Sequence, residues 1–262
     1  MIVPLGKLTD KIRIVTTSWD DGHPCDRRLA KLLASRSLPA TFYVPLAGED
    51  GKPVLGPEAL RSLRSQGFEI GAHTMSHQIV SGLPDAELSR QVHGSKQKLE
   101  EQLGAEVPMF CYPRGRYDGK AIDSVRRSGF RGARTTRMLS HTLRFSRFEM
   151  PTSLQAYPHR PLSYLKNLGK RRDLAGFGRY VNEYLACKSW VEMGKRLFED
   201  VLAGGGLWHL YGHSWELEEF GLWDQLQEMF DYVADRPGVI YASNSQALEL
   251  AQDEAYTGVE AA

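Results

Sequence analysis

Residues 12–46, IRIVTTSWDDGHPCDRRLAKLLASRSLPATFYVPL, contain a complete strand–helix–strand unit. Its first part, IRIVTTSW (12–19), is short, apolar and rich in β-branched residues, and reads as a strand. DRRLAKLLASR (26–36) reads as an amphipathic helix opened by Asp26 as its cap. ATFYVPL (40–46) reads as a second strand. A strand, a helix and a strand in immediate succession form the unit from which parallel sheets are built.

The same alternation continues outward from this unit. A helix is predicted at about 57–66, with Pro57 near its start and Gly67 after its end. It is followed by the strand FEIGAH (68–73), a long helix at 85–103 ended by Gly104, and the strand VPMFCY (107–112). A helix at about 118–128 and a strand at about 130–136 come next. After residue 189, Ser189-Trp190-Val191-Glu192 has the pattern of a capping box for a helix that ends at Gly204-Gly205-Gly206. The strand LWHLYGH (207–213), a helix at about 219–235, the strand VIYAS (239–243) and a final short helix complete the chain.

Residues 144–190 break the rhythm with Pro151, Pro158 and Pro161, several aromatics and a basic cluster at Lys166, Lys170, Arg171 and Arg172. This segment reads as an insertion, a cap at about 144–190 over one face of a single domain spanning residues 1–262. In that role Tyr157, Tyr164, Phe177 and Tyr180 would offer flat faces to a sugar ring, and Arg171 and Arg172 would pair with an anionic leader group. The fold class expected is α/β, an irregular (β/α) barrel of about seven strands, with an open doubly wound sheet as the alternative. In either architecture function gathers at the C-terminal ends of the strands.

Composition narrows the classes. The 262 residues are 42% hydrophobic and 25% charged, as in an ordinary soluble protein with a real core. A net charge of +1 gives no reason to expect nucleic acid or a membrane surface as the main partner. Cys25, Cys111 and Cys187 are too widely spaced for a cysteine zinc site or a disulfide framework. The N-terminal MIVPLGKLTDKIRIV lacks the pattern of a signal peptide, and no apolar run approaches the ~18 residues of a membrane span. A cytoplasmic protein without stable membrane insertion is the expectation; the oligomeric state is left open.

The polar residues at the strand ends carry the chemistry. The first strand ends in Trp19-Asp20-Asp21-Gly22. Adjacent strand residues point to opposite faces, so one carboxylate can bind a metal while the other stays free as a base. The third strand ends at His73, and His77 follows at a spacing that would bring two imidazoles to one metal ion if the chain turns helical there. His209 and His213 have the same spacing, but within a strand they stand ~13 Å apart and cannot share an ion. His209 therefore reads as a strand histidine satisfied by its neighbours, and His213 closes the strand. The fourth strand ends in Tyr112-Pro113-Arg114-Gly115, a turn able to present a backbone N–H to an oxyanion. His159 reads as a solvated loop histidine and Cys111 as a buried strand cysteine.

Together these residues resemble the motifs of the polysaccharide deacetylases of carbohydrate esterase family four. Ser18-Trp19-Asp20-Asp21-Gly22 is similar to the family's T-F-D-D-G, and His73-Thr74-Met75-Ser76-His77 matches H-[S/T]-x-x-H. Cys111-Tyr112-Pro113-Arg114-Gly115 partly matches R-x-P-[Y/F]-G, and His213 resembles the late histidine that closes a strand. The resemblance implies Asp20 as general base, Asp21, His73 and His77 as ligands of a divalent metal, His213 as general acid, and the backbone N–H of Arg114 as an oxyanion donor. Zinc is the expected ion, with cobalt or nickel as alternatives. The arginine that opens the third motif is Cys111 here, and Arg114, Arg134 or Arg137 could replace it as the partner of the base. The fourth motif is not found in residues 130–150; Glu216 and Glu218 lie close in sequence to His213. The activity implied is removal of an N-acetyl or N-formyl group from a sugar, on a cell-surface glycan or its activated precursor. A metal amidase on a non-sugar amide and a glycan-binding member without turnover are the rival readings.

Overall fold

A computed structural model describes residues 11–171 and 173–260. Arg172 and the side chain of Arg171 lie outside the described residues, and the expected pairing of Arg171 and Arg172 with an anionic group falls there.

The strands are β1 (Arg13–Asp20), β2 (Thr41–Val44), β3 (Glu69–Ala72), β4 (Met109–Cys111), β5 (Gly132–Arg134), β6 (Leu154–Gln155), β7 (Gly206–His213) and β8 (Ile240–Tyr241). All pair in parallel in the order β5-β4-β3-β2-β1-β7-β6. β8 pairs with the start of β1, Ile14 opposite Ile240, while β2 pairs with its end, Asp20 opposite Tyr43.

The curled sheet is carried round from β5 to β7 by residues 147–156. Met150 donates to Ala133 O and accepts from Thr135 N–H, both at 2.9 Å. A few residues on, Ser153 N–H donates to His209 O and Ala156 N–H to Tyr211 O, both at 2.8 Å. The start of the segment expected to be an insertion is therefore part of the barrel wall. Its prolines and short strand hide that role, because β6 has only two residues in register.

Period-two alternation explains both the core and the site. Val15 and Trp19 of β1 pack in the larger apolar cluster with Phe42, Ile70, Phe110, Ala133 and Trp208. Ile14 packs on the opposite face with Tyr43, Met109, Cys111, Met150 and Leu207, and with Ala247 and Leu248 of the last helix. Along this inner face of β1, Thr16 meets Asn244 and Ser18 meets His209, and Asp20 then emerges at the rim. Both sheet faces are buried, which is why the strands read as apolar runs. Truncating the fully buried Trp19, which sits edge-on to Phe230, would cost about 3–5 kcal/mol.

Several local expectations are corrected. The first helix is Asp26–Ala34 with Cys25 at its cap position, and Asp26 turns inward, fully buried. The helix predicted at about 219–235 is Trp223–Val233, and a short helix that the sequence reading did not predict, Ser214–Glu219, precedes it. Gly221 in the left-handed region lets Leu222 N–H reach Leu217 O at 2.9 Å and closes the first of them. The final helix is long, Asn244–Glu260. His73 to His77 is a turn, not a helix, with Thr74 and His77 both at positive φ.

Candidate metal centre

Asp20, at the end of β1, and Asp21, one residue past it, point in different directions because Asp21 takes a positive φ of 74°. Asp21 Oδ1 lies 3.2 Å from His77 Nε2 and 3.7 Å from His73 Nε2. One ligand atom from each of the three falls within 4.8 Å of the others. His73 Nδ1 donates to Cys111 O at 2.8 Å, which turns Nε2 toward Asp21. Burial pushes His73 down to about 4, so the ring is a neutral donor at physiological pH. Trp215 Nε1 donates to Asp21 Oδ2 at 2.9 Å, while buried Oδ1 finds no hydrogen-bond partner among the described residues. A buried carboxylate oxygen without a hydrogen-bond partner, facing two imidazole nitrogens, suits a divalent cation.

Asp20 lies beside this set, 3% exposed, and one of its oxygens, a His73 ring nitrogen and the Cys111 sulfur also fall within 4.8 Å of one another. Its Oδ1 is ion-paired to the Arg134 guanidinium. Its Oδ2 takes the Cys111 thiol at 3.9 Å and lies 3.9 Å from His213 Nε2. Burial alone would raise the Asp20 pKa, but Arg134, His73 and His213 outweigh it and hold the carboxyl below its usual value. Cys111 and Arg134 are register partners on β4 and β5. The arginine missing from the third motif is thus supplied one strand over, opposite the cysteine that took its place. Its guanidinium lies 4.8 Å from the Tyr211 ring and 5.2 Å from that of Tyr43.

His213 ends β7 and donates from Nδ1 to Glu216 Oε2 at 2.7 Å. Burial lowers its pKa, but the hydrogen bond and charge of Glu216, with Asp21 and Asp20 nearby, push it up to about 9. Glu218 is turned elsewhere, to Arg28 and Trp223. Gln155 donates to Glu216 at 2.9 Å and accepts from His159 at 2.8 Å, so His159 is a half-buried, bonded residue and not a solvated one. His209, as expected, is buried and satisfied by Ser18 and Pro151 O.

Arg114 sits in the turn Pro113–Gly115 at φ 55°, and its exposed side chain pairs with Glu49 at 2.5 Å. Glu49 Oε2 is also 3.3 Å from His77 Nδ1. Asp20, Asp21, His73, His77, Arg114 and His213 all line one cleft of about 360 Å³. Glu49, Lys52, Thr136, Gln155, Tyr211 and Trp215 line it too, and the sequence reading did not single them out for the site. Trp215 had a signal, lying two residues past His213; Glu49 and Lys52 come from a loop with none.

Residues 7–133 match the family model for polysaccharide deacetylases. An uncharacterized protein of Streptomyces coelicolor is 31% identical over 105 residues, which is 40% of this chain and 41% of that relative, less than half its length. A Mycobacterium smegmatis chain assigned as a polysaccharide deacetylase has a TM-score of 0.68 at 18% identity, covering 97% of this chain and 95% of its own. The chitin deacetylase of the fungal pathogen Colletotrichum lindemuthianum has a TM-score of 0.58 at 15% identity, covering 90% of each chain. At these identities the structural likeness establishes the fold, a (β/α) barrel of the deacetylase kind.

Proposed function

We propose, on the premise that residues 7–133 carry a polysaccharide deacetylase domain, that this protein is a metal-dependent hydrolase of an N-acetyl or N-formyl sugar. The observation that carries the reading is the separation of two carboxylates at one rim. Asp21 faces His73 and His77, while Asp20 is buried beside them and held by Arg134. A site that only bound a metal would not need the second carboxylate.

Asp21, His73 and His77 would hold the ion, zinc by preference with cobalt or nickel as alternatives. A divalent ion there supplies Lewis acidity toward the acyl oxygen and makes water a better nucleophile. Asp20, kept ionised by Arg134, accepts the proton of the attacking water. His213, kept protonated by Glu216, delivers a proton to the departing amine. The backbone N–H of Arg114 donates to the acyl oxygen as charge develops on it. We place the reaction in the cytoplasm, on an activated precursor or a growing cell-surface glycan, and read residues 157–190 as the part of the expected cap that selects the substrate. Asn167 supports this by bonding Thr136 O at 2.8 Å and Met138 N–H at 3.1 Å, beside the cleft.

Acyl release from N-acetylated and N-formylated sugars tests the reading. Acetate or formate should appear, vanish on chelation, and return when zinc or cobalt is restored. Turnover that survives complete metal removal would contradict metal dependence; acyl release confined to non-sugar amides would favour the rival amidase.

A further inference from the structure

The whole-chain charge of +1 conceals an uneven distribution: residues 160–188 carry seven lysines and arginines against Asp173 and Glu183. Within this segment the helix Leu174–Arg179 runs into the π-helical turn Tyr180–Tyr184. Leu174 is 85% exposed, Phe177 47%, Val181 42% and Leu185 46%. Their spacings place them along one stripe of the helical surface. The inward side is already used: Tyr180 and Tyr184 are buried, Tyr180 packing 5.5 Å from the Tyr164 ring and Tyr184 bonding Asp200. Isolated exposed apolar residues need no explanation, but a helical stripe of them does.

We propose that the outer face of residues 174–185, together with the exposed Arg160, Lys166 and Lys188 of the same segment, docks on the surface of an anionic lipid bilayer. Apolar side chains on one helical face, flanked by lysine and arginine, are the composition of an interfacial helix that enters the headgroup region without crossing it. Arg160, Lys166 and Lys188 are exposed and supply charge complementary to an anionic leaflet. No helix among the described residues is long and apolar enough to cross a membrane, so the contact is peripheral. Asp173, the residue before Leu174, lines a groove that shares Arg114 and Thr136 with the metal cleft. A docked helix would therefore leave that groove beside the headgroups.

Co-sedimentation of the full chain with vesicles tests this. The protein should pellet with phosphatidylcholine vesicles containing about 30% phosphatidylglycerol, not with phosphatidylcholine alone, and less so as salt is raised. The exposed-site variants Leu174→Ser with Phe177→Ser, and Lys166→Glu with Lys188→Glu, should each weaken binding at least about tenfold with unchanged circular dichroism and melting. Asp20→Asn should pellet like the wild type, because docking does not depend on the deacetylase reading. The proposal is overturned if the wild type stays in the supernatant or if the variants bind as it does. A salt-insensitive dimer that forms through this stripe without vesicle binding would also overturn it, as would loss of binding in Asp20→Asn.

Discussion

Arg134 and Glu216 set the charge states of Asp20 and His213, the two residues proposed to move protons. Asp20 has its pKa depressed against the pull of burial, so its contribution to stability is present above the unfolded value of about 3.9 and is lost as pH falls through the lower folded value. Arg134→Met leaves that buried carboxylate without its counter-charge. We expect a loss of roughly 3–5 kcal/mol at neutral pH, read by urea unfolding, that shrinks as pH falls and the uncompensated buried carboxyl takes up a proton. Unchanged stability together with wild-type turnover would mean that the pair is dispensable. His213 shows the opposite sign: its pKa is raised to about 9, so its stabilising contribution is full below the unfolded value of about 6.5 and is lost as pH rises through 9. A cation held by Asp21, His73 and His77 would pull this value down, and if His213 is the acid the alkaline limb of kcat/KM should fall below about 9. Glu216→Gln should shift that limb to lower pH; a limb that does not move would show that His213 is not the acid. Arg134 was among three arginines that could replace the missing one, and no signal within the chain ranked them. The β4–β5 register supplied the choice, and register is a tertiary property.

At the scale of elements, strands were more legible than turns. The long parallel strands β1 and β7 announce themselves because both are buried along almost their whole length and are rich in β-branched, aliphatic and aromatic residues, Ile14, Val15, Thr16, Thr17 and Trp19 in β1 and Leu207, Trp208, Leu210 and Tyr211 in β7. β6 does not, since two residues in register cannot set up a periodicity. Asp26 reads as a helix cap because Asp is favoured there, but the chain enters that helix one residue earlier and buries the side chain. The turn Pro113–Gly115 is the element on which the proposed oxyanion role of Arg114 depends. Gly115 has φ 62°, and a Cβ added there would overlap Thr136 Oγ1. Gly115→Ala should therefore cost roughly 1–3 kcal/mol and lower kcat through displacement of Arg114. Differential scanning calorimetry and steady-state kinetics would register both; an alanine variant indistinguishable from the wild type would detach this turn from the chemistry.

For the whole molecule, the rule that function sits at the C-terminal rim brought together residues as far apart in sequence as Asp20 and His213. All six residues named from the sequence line the same cleft, while Glu49, Lys52 and Gln155 enter it only through the folded arrangement of loops. The charge concentrated in residues 160–188 was invisible in the net charge for a similar reason: a sum over the chain erases position. The proposed chemistry rests on a division of work between adjacent aspartates, Asp21 holding the ion and Asp20 moving the proton. Metal content by mass spectrometry, measured alongside acyl release on Asp20→Asn and Asp21→Asn purified in parallel, separates the two roles. Asp20→Asn should keep close to one ion per chain while turnover falls about 10²–10⁴-fold, and Asp21→Asn should lose the ion and the activity together. If Asp20→Asn loses the metal while Asp21→Asn retains it, or if Asp20→Asn turns over like the wild type, the division of roles is contradicted.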